Sequence, residues 1–321
     1  MSPSPTSRTV LVAGGTGFLG SAIVRELDER GHRVAVLSRR PGSVASRFPG
    51  RDVEGRGGDV TDPTTLPAAL EGIGAVVQCV QFPGFPVEDP SRGRTFRMVD
   101  ARGTANVVEA AGAAGVGRIL YLSGVGADPA SGKPWFRAKA MAEAAVREGT
   151  PEGIVLRPSW VYGPGDRSLN ALATIVRFLP GLFPQLGDGR QRLNPVWIGD
   201  VARAAALLLE APAAAGRTAE IGGPVTYTMD AIVETLMDAL GRAKPIVHVP
   251  MWLLRPGAAL AGLLPGQLFS PATLEFATQG AVADLRGLRE LLPDLELTPF
   301  PEALRAYRPG GGRSRRPSGA P

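Results

Sequence analysis

The feature that most constrains this chain is a glycine-rich turn near its N-terminus, Gly14-Gly15-Thr16-Gly17-Phe18-Leu19-Gly20. An apolar run at 10–13 precedes the turn, and a helical pattern begins at its end. In such a strand–turn–helix unit the first glycine permits a tight exit from the strand, the second lets a ligand approach the backbone, and the third allows close helix packing. Free N–H groups at the helix N-terminus favour phosphate. The turn therefore predicts a dinucleotide site at Gly14, Thr16, Gly17, Phe18, Leu19 and Gly20.

Strand-like and helix-like segments alternate over the first half of the chain. Apolar runs occupy 10–13, 33–37, 75–80, 118–122 and 154–156, and helical patterns occupy 18–30, 95–114 and 135–148. This alternation predicts an α/β fold, a Rossmann-type doubly wound parallel sheet with helices on both faces. Ligands of such sheets bind beyond the carboxyl ends of the strands.

The pattern changes after Pro158, where longer loops rich in Gly and Pro separate predicted helices at 168–178, 198–210, 229–240 and 272–277. We expect a flexible N-terminus at 1–8, a Rossmann domain at 9–160, and a smaller, mainly helical region at 161–308 packed on the strand ends toward a substrate. The tail 309–321 has too few apolar residues to order itself and is expected to be disordered.

Composition excludes several classes of protein. Of the net charge of +5, three arginines lie in the tail, which leaves the rest near +2 and argues against nucleic-acid binding. Cys79 is the only cysteine, so no intramolecular disulfide can form, and His32 and His248 lie far apart in sequence without a nearby ligand cluster. No metal site is predicted.

The chain has no predicted export or membrane-spanning segment. The Ser- and Pro-rich N-terminus lacks the apolar core of a signal peptide, so a cytoplasmic location is expected. The apolar stretch 251–269 is interrupted by Arg255, Pro256 and Pro265, whereas a spanning helix needs about 20 apolar residues. We favour a buried or interface helix over a membrane-surface element, because few basic residues flank it. Peripheral membrane contact stays open, as does the oligomeric state.

Arg39 and Arg40 follow the second predicted strand, and no acid occurs before Asp52. NAD enzymes normally place an acid after this strand to bind the adenine ribose. A guanidinium instead matches phosphate geometry, so the pair predicts NADP(H) in preference to NAD(H); a solvated basic turn is the alternative. Asp59 and Val60, after two glycines, are placed where a carboxylate contacts the adenine amino group.

Several motifs together resemble the short-chain dehydrogenase/reductase superfamily. They are the glycine turn, Gly58-Asp59-Val60, the helix stretch 100–106, the strand end 121–126, Arg157-Pro158, 161–165 and 195–202. The resemblance covers 10–206 well and 271–301 more loosely. It is closest to the extended and atypical branch, with its NmrA-like regulators and relatives of the 39 kDa accessory subunit of respiratory complex I. It implies the Rossmann fold and a nicotinamide dinucleotide.

The resemblance also implies a proton-donating Tyr four residues before a Lys, on one helix face. Here Lys139 has Trp135 at that position, and an indole does not exchange a proton at accessible pH. Lys139 is expected to bind the nicotinamide ribose, and it could also act as the acid. Ser123 matches the carbonyl-binding Ser of the superfamily or only caps a turn. Tyr162 is either a displaced proton donor or, more commonly, a packed aromatic.

Two functions fit these residues. One is an NADPH-dependent oxidoreductase of a small apolar carbonyl or quinone-like substrate, with Lys139 and Ser123 as its catalytic groups. The other is a non-catalytic dinucleotide-binding sensor or assembly factor, which the replacement of Tyr by Trp135 favours. Nucleic-acid regulation is a weaker third interpretation, because the body of the chain is nearly neutral.

Overall fold

The computed structural model describes residues 8–83, 87–253, 278–307 and 309, which form two compact units. The first unit contains the described residues up to Ser159, with Ile198–Ile221 and Ala283–Glu296. The second contains Trp160–Trp197 and the described parts of Gly222–Val282 and Leu297–Pro321. The chain therefore enters the first unit three times.

The described strands are β1 (Thr9–Ala13), β2 (Arg33–Ser38), β3 (Val53–Gly57), β4 (Ala75–Gln78), β5 (Arg118–Leu122), β6 (Glu152–Pro158), β7 (Val161–Tyr162), β8 (Phe183–Leu186), β9 (Arg192–Leu193), β10 (Val196–Trp197), β11 (Thr218–Ile221), β12 (Tyr227–Thr228) and β13 (Ile246–Val249). The α-helices are α1 (Phe18–Glu29), α2 (Val44–Arg47), α3 (Leu66–Leu70), α4 (Gly103–Ala113), α5 (Pro134–Gly149), α6 (Ser168–Phe178), α7 (Ile198–Glu210), α8 (Met229–Ala239), α9 (Arg286–Leu291) and α10 (Phe300–Tyr307). A π-helical turn, Arg97–Arg102, leads into α4, and 3₁₀ turns lie at Pro41–Ser43, Pro63–Thr65, Pro90–Arg92 and Pro212–Ala214.

The first unit is built on a seven-stranded parallel sheet in the order β11-β6-β5-β4-β1-β2-β3. The order reverses beside β1, whose neighbours are β2 and β4. The central strands of the sheet are buried because helices cover it. Burial on both faces explains why these strands have continuous apolar runs in the sequence. Helix α1 buries Gly20, Ile23, Val24 and Leu27 at helical spacing and packs against α7.

The second unit has a separate core around α6, α8 and α10. Three two-stranded sheets accompany these helices: β7 with β10 and β8 with β13 are parallel, and β9 with β12 is antiparallel. Fully buried Tyr162, Phe183 and Phe300 are the largest side chains of this core.

The Rossmann-type parallel sheet is confirmed, and each of the five predicted strands has a counterpart in it. The predicted helices 168–178 and 198–210 coincide with α6 and α7. Strands β3 and β11 were not predicted. The expected helix at 272–277, most of the stretch 251–269, and nearly all of the termini 1–8 and 309–321 lie outside the described residues. Within the described part of the chain, no helix has the length and apolar character needed to span a bilayer.

Candidate dinucleotide site

The glycine turn links the end of β1 to the start of α1. Gly14 has φ +86°, and a Cβ added there would lie 2.9 Å from the backbone of Cys79. A Cβ on Gly20 would lie 2.2 Å from the Gly14 carbonyl oxygen, so this glycine lets the helix approach the turn. Gly17 differs, because its φ is −78° and an added Cβ would meet only the Gly14 oxygen, at 3.2 Å. Gly17 is therefore less crowded than Gly14 and Gly20.

This less crowded glycine lies at the start of α1. Gly17 is the N-cap of the helix and provides no side-chain cap, while its own N–H donates to the Gly14 carbonyl at 2.9 Å. Gly17 is exposed, and Thr16, Phe18 and Leu19 around it are half-buried. An uncapped helix N-terminus beside a glycine that leaves room for a ligand fits the pyrophosphate of a dinucleotide.

Arg39 and Arg40 lie beside this turn because β1 and β2 are parallel neighbours with Ala13 opposite Leu37. Both side chains are exposed, and no acid among the described residues forms an ion pair with either guanidinium. The Arg40 N–H donates to the Ser38 hydroxyl at 3.1 Å, which orders the start of the basic turn. The two guanidiniums can therefore meet a phosphate without first breaking an ion pair.

Strand β3 brings Asp59 and Val60 to the same edge, since Gly57 pairs with Ser38. One carboxylate oxygen of Asp59 accepts bonds from the Thr61 N–H at 2.9 Å and the Thr61 hydroxyl at 2.8 Å. Val60 is buried, and its carbonyl accepts a bond from the Asn106 side chain at 2.8 Å. Asp59 thus keeps its second carboxylate oxygen for a ligand, whereas the Val60 side chain serves packing.

Trp135, which stands where the superfamily has its Tyr, belongs to a small aromatic cluster. Only 7% of Trp135 is exposed. Its ring centroid lies 6.3 Å from Phe96 and 5.4 Å from Phe136, and Phe96 lies 5.1 Å from Phe82. The indole therefore fills a packed apolar space.

Lys139 is held by groups of the protein itself. Its Nζ lies 3.3 Å from Asp100 Oδ1, donates to the Leu122 carbonyl at 3.3 Å, and sits 5.2 Å from the Tyr121 ring centroid. Burial opposes the charged ammonium, but Tyr121 and Asp100 outweigh it and raise the pKa of Lys139. Burial raises the pKa of Tyr121 to about 12. At neutral pH, Lys139 is a fixed cation and Tyr121 a neutral phenol.

Ser123 is turned toward a buried carboxylate. Its hydroxyl donates to Glu143 Oε1 at 2.6 Å, and Arg157 donates to both Glu143 oxygens at 2.7 Å. Burial acts to raise the pKa of Glu143, but the bonds from Arg157 and Ser123 outweigh it and lower that pKa. The Ser123 hydrogen is thus used to hold Glu143 in its ionised form.

Tyr162 lies in the core of the second unit. It is fully buried, with its ring centroid 5.0 Å from Phe300 and 5.7 Å from Trp197. This environment fits the packed-aromatic alternative.

Glu143 was not singled out from the sequence, and Asp100 was named only as the first residue of the motif stretch 100–106, without a role of its own. Glu143 lies four residues after Lys139 on α5, a spacing that could have placed both on one helix face. Asp100 gave no comparable signal, because it meets Lys139 only through the packing of α5 on the turn before α4. Across the described ranges, no group of three or more His, Cys, Asp or Glu side chains is arranged to hold a metal ion.

Comparisons with known proteins agree with the Rossmann-type fold. The model of the NAD dependent epimerase/dehydratase family matches residues 10–222. The chain is 31% identical to the 2-alkyl-3-oxoalkanoate reductase of Stenotrophomonas maltophilia, over 73% of this chain and 76% of that protein. It is 30% identical to mitochondrial NADH dehydrogenase [ubiquinone] 1 alpha subcomplex subunit 9 of Arabidopsis thaliana, over 94% and 78% of the two chains. The crystal structure of gox2253 superposes with a TM-score of 0.74 at 26% identity, over 95% of this chain and 98% of that one.

Proposed function

This chain belongs to the NAD dependent epimerase/dehydratase family, within the extended short-chain dehydrogenase/reductase superfamily, and we propose on that basis that it binds NADP(H). From the contacts of its site residues we propose that it acts as a sensor or assembly module without conventional carbonyl turnover. The glycine turn would hold the pyrophosphate, Arg39 and Arg40 the 2′-phosphate, and Asp59 the adenine. A cytoplasmic location and membership of the NmrA-like branch stay predictions.

One observation carries this proposal: the three groups expected at a reacting carbonyl are each engaged within the protein. Trp135 replaces the phenol and is packed against Phe96 and Phe136. Ser123 donates its hydrogen to Glu143 at 2.6 Å, and Lys139 pairs with Asp100 at 3.3 Å. General acid catalysis needs a donor whose proton is available at a suitable pKa. Trp135 has no such proton, the Ser123 hydrogen is directed to Glu143, and the pKa of Lys139 is raised. The similarity to a subunit of NADH dehydrogenase also fits a module that acts with a partner.

The preference for NADP(H) rests on the two exposed arginines after β2. Charge-assisted hydrogen bonds from guanidinium to phosphate are stronger than hydrogen bonds between neutral groups. We therefore expect NADPH to bind on the order of tenfold more tightly than NADH. Quenching of intrinsic fluorescence during titration with each cofactor measures both affinities. Arg39→Ala with Arg40→Ala should remove the preference and leave NADH affinity nearly unchanged.

Arg33→Ala is the matched control, because Arg33 is an exposed arginine at the opposite end of the same strand. It should leave both affinities unchanged. Equal affinity of the wild-type protein for the two cofactors would contradict the preference, and failure to bind either would contradict the proposed function.

A second candidate function is reduction of a small apolar carbonyl or quinone-like substrate. It is favoured by the 31% identity to a 2-alkyl-3-oxoalkanoate reductase. Reduced nicotinamide supplies a hydride when bound. The proton would then come from Lys139 or from a water molecule, because Trp135 cannot provide it.

Consumption of NADPH with a panel of aldehydes, enones and quinones separates the two functions. The cofactor-binding module predicts saturable NADPH binding and oxidation at the background rate with every compound. Oxidation well above background that falls in Lys139→Met would support the reductase instead.

A further inference from the structure

Asp100 and Lys139 form an ion pair near the ends of β4 and β5. The Asp100 side chain is 2% exposed and the Lys139 side chain 13%, with 3.3 Å between Oδ1 and Nζ. The second Asp100 oxygen accepts the Phe82 N–H at 2.9 Å. Both carboxylate oxygens therefore have partners, and the carboxylate is fixed between Lys139 and the loop that follows β4.

Asp100 is also the local counter-charge of Lys139. Burial raises the pKa of Asp100, and the Lys139 ammonium and the Phe82 N–H oppose that rise by stabilising the carboxylate. The nearby carboxylate of Glu143 is already paired with Arg157 at 2.7 Å, and Tyr121 is neutral at physiological pH. Besides its ion pair with Asp100, the Lys139 Nζ interacts with two neutral groups, the Leu122 carbonyl and the Tyr121 phenol. Together, Asp100 and Lys139 have no net charge, whereas either side chain alone would leave a buried charge.

The position of this pair in the sheet relates it to the nicotinamide. Arg39 and Arg40 follow β2, on one side of β1, whereas Phe82 follows β4 and Leu122 ends β5, on the other side. A dinucleotide with its phosphates at the glycine turn and its adenosine beside the arginines has its nicotinamide half on the β4 and β5 side. The pair therefore belongs to the nicotinamide side of the proposed site.

We propose that Asp100 sets the preference of the site between oxidised and reduced dinucleotide by cancelling the charge of Lys139. This inference rests on the proposed function, because it requires the cofactor to bind. The oxidised nicotinamide ring is positively charged and the reduced ring is neutral, so an uncompensated Lys139 disfavours the oxidised form alone. An uncompensated Asp100 favours it.

The test compares the Kd of NADP⁺ divided by the Kd of NADPH, measured at pH 7 by titration calorimetry of the full chain. Asp100→Asn should raise this ratio on the order of fivefold, and Lys139→Met should lower it by a similar factor. The double variant should return to within about twofold of the wild-type ratio, because it again has no net charge. Loss of a ribose contact from Lys139 weakens both forms alike and cancels in the ratio.

Glu210→Gln is the matched control, since it removes one negative charge near the start of β2. This charge lies at the amino ends of the strands, whereas the proposed site lies at their carboxyl ends. It should leave the ratio unchanged. If Asp100→Asn does not fold, Lys139→Met tests the inference by itself. A ratio that stays constant in all variants, with both affinities falling together, would show a merely structural role for Asp100 and overturn the inference. Absence of binding by the wild-type protein would overturn the proposed function as well.

Discussion

At the scale of single residues, the glycines of the turn differ in what they do. Gly14 and Gly20 are required by backbone atoms that lie within 3 Å of an added Cβ, whereas an added Cβ on Gly17 would meet one atom, the Gly14 oxygen, at 3.2 Å. We predict that Gly17→Val abolishes NADPH binding while the protein stays folded. The φ of −78° suits any residue, a shift of a few tenths of an ångström relieves the 3.2 Å contact with the Gly14 oxygen, and the valine would occupy the place of the pyrophosphate. Circular dichroism beside a binding isotherm measures both properties.

Gly112→Val is a suitable control for that variant, because Gly112 is exposed on α4 and an added Cβ meets nothing within 4 Å. It should keep its affinity for NADPH. Retained affinity in Gly17→Val would mean that the turn serves packing only.

Trp135 provides a second prediction at this scale. Trp135→Tyr should lower the free energy of unfolding by about 1–2 kcal/mol, because a smaller ring leaves space beside Phe96 and Phe136. NADPH oxidation with carbonyl compounds should stay at background, since Lys139 remains paired with Asp100 and Ser123 with Glu143. Stopped-flow absorbance with the wild type and Trp135→Tyr, beside Lys139→Met, tests this. A gain of turnover that needs Lys139 would instead identify a degenerate dehydrogenase.

The candidate site was predictable from the sequence where it depends on local backbone. The glycine turn, Arg39 and Arg40 all follow strands that their apolar runs predict, so their common edge follows from the topology. Ser123 was less predictable, because the direction of its hydroxyl depends on Glu143, which lies on another element. The place of Lys139 likewise depends on Asp100, far from it in sequence.

At the scale of elements, strands buried on both faces were predictable and edge strands were not. Strand β3 has the sequence VEGRG, with charged residues and glycines in place of an apolar run, because it lies at the edge of the sheet. Strand β11 has four residues at the opposite edge of the sheet. It pairs with β6, although the segment Trp160–Trp197 of the second unit separates the two strands in sequence. Short edge strands have weak apolar patterns because one side of each lacks a partner strand.

Arg118 at the start of β5 supports the C-terminal end of α7. Its guanidinium donates to the carbonyls of Leu209 at 2.6 Å and Leu208 at 3.0 Å, and also to that of Ala211. It pairs with Glu152 at 2.5 Å and is 4% exposed. We predict that Arg118→Met lowers the free energy of unfolding by about 3 kcal/mol, because the buried carbonyls lose their donors. Urea denaturation measures the loss, and Arg286→Met, an exposed arginine, should show none.

At the scale of the whole molecule, the chain leaves the first unit after Ser159 and returns to it twice. The first return contributes α7, which packs on α1, and β11, which completes the sheet. Glu210, the last residue of α7, connects this segment to the residues between α1 and β2. It accepts bonds from Arg30 at 2.8 and 2.7 Å and lies 3.0 Å from His32 Nε2. Residues about 180 positions apart are thereby joined.

This connection predicts a stability that depends on pH. The bonds from Arg30 lower the pKa of Glu210 despite partial burial, and His32 adds to the effect. A carboxyl group with a lowered folded-state pKa stabilises the protein above its unfolded pKa, near 4.5, and the contribution disappears as the pH falls through the folded-state value.

Glu210→Gln should therefore lower the free energy of unfolding by about 1 kcal/mol at pH 7, and the difference from wild type should shrink as the pH falls below about 4. Urea denaturation over that range measures it, with Glu234→Gln on the exposed face of α8 as the control. A difference that is constant with pH would mean that Glu210 acts through packing and not through its charge.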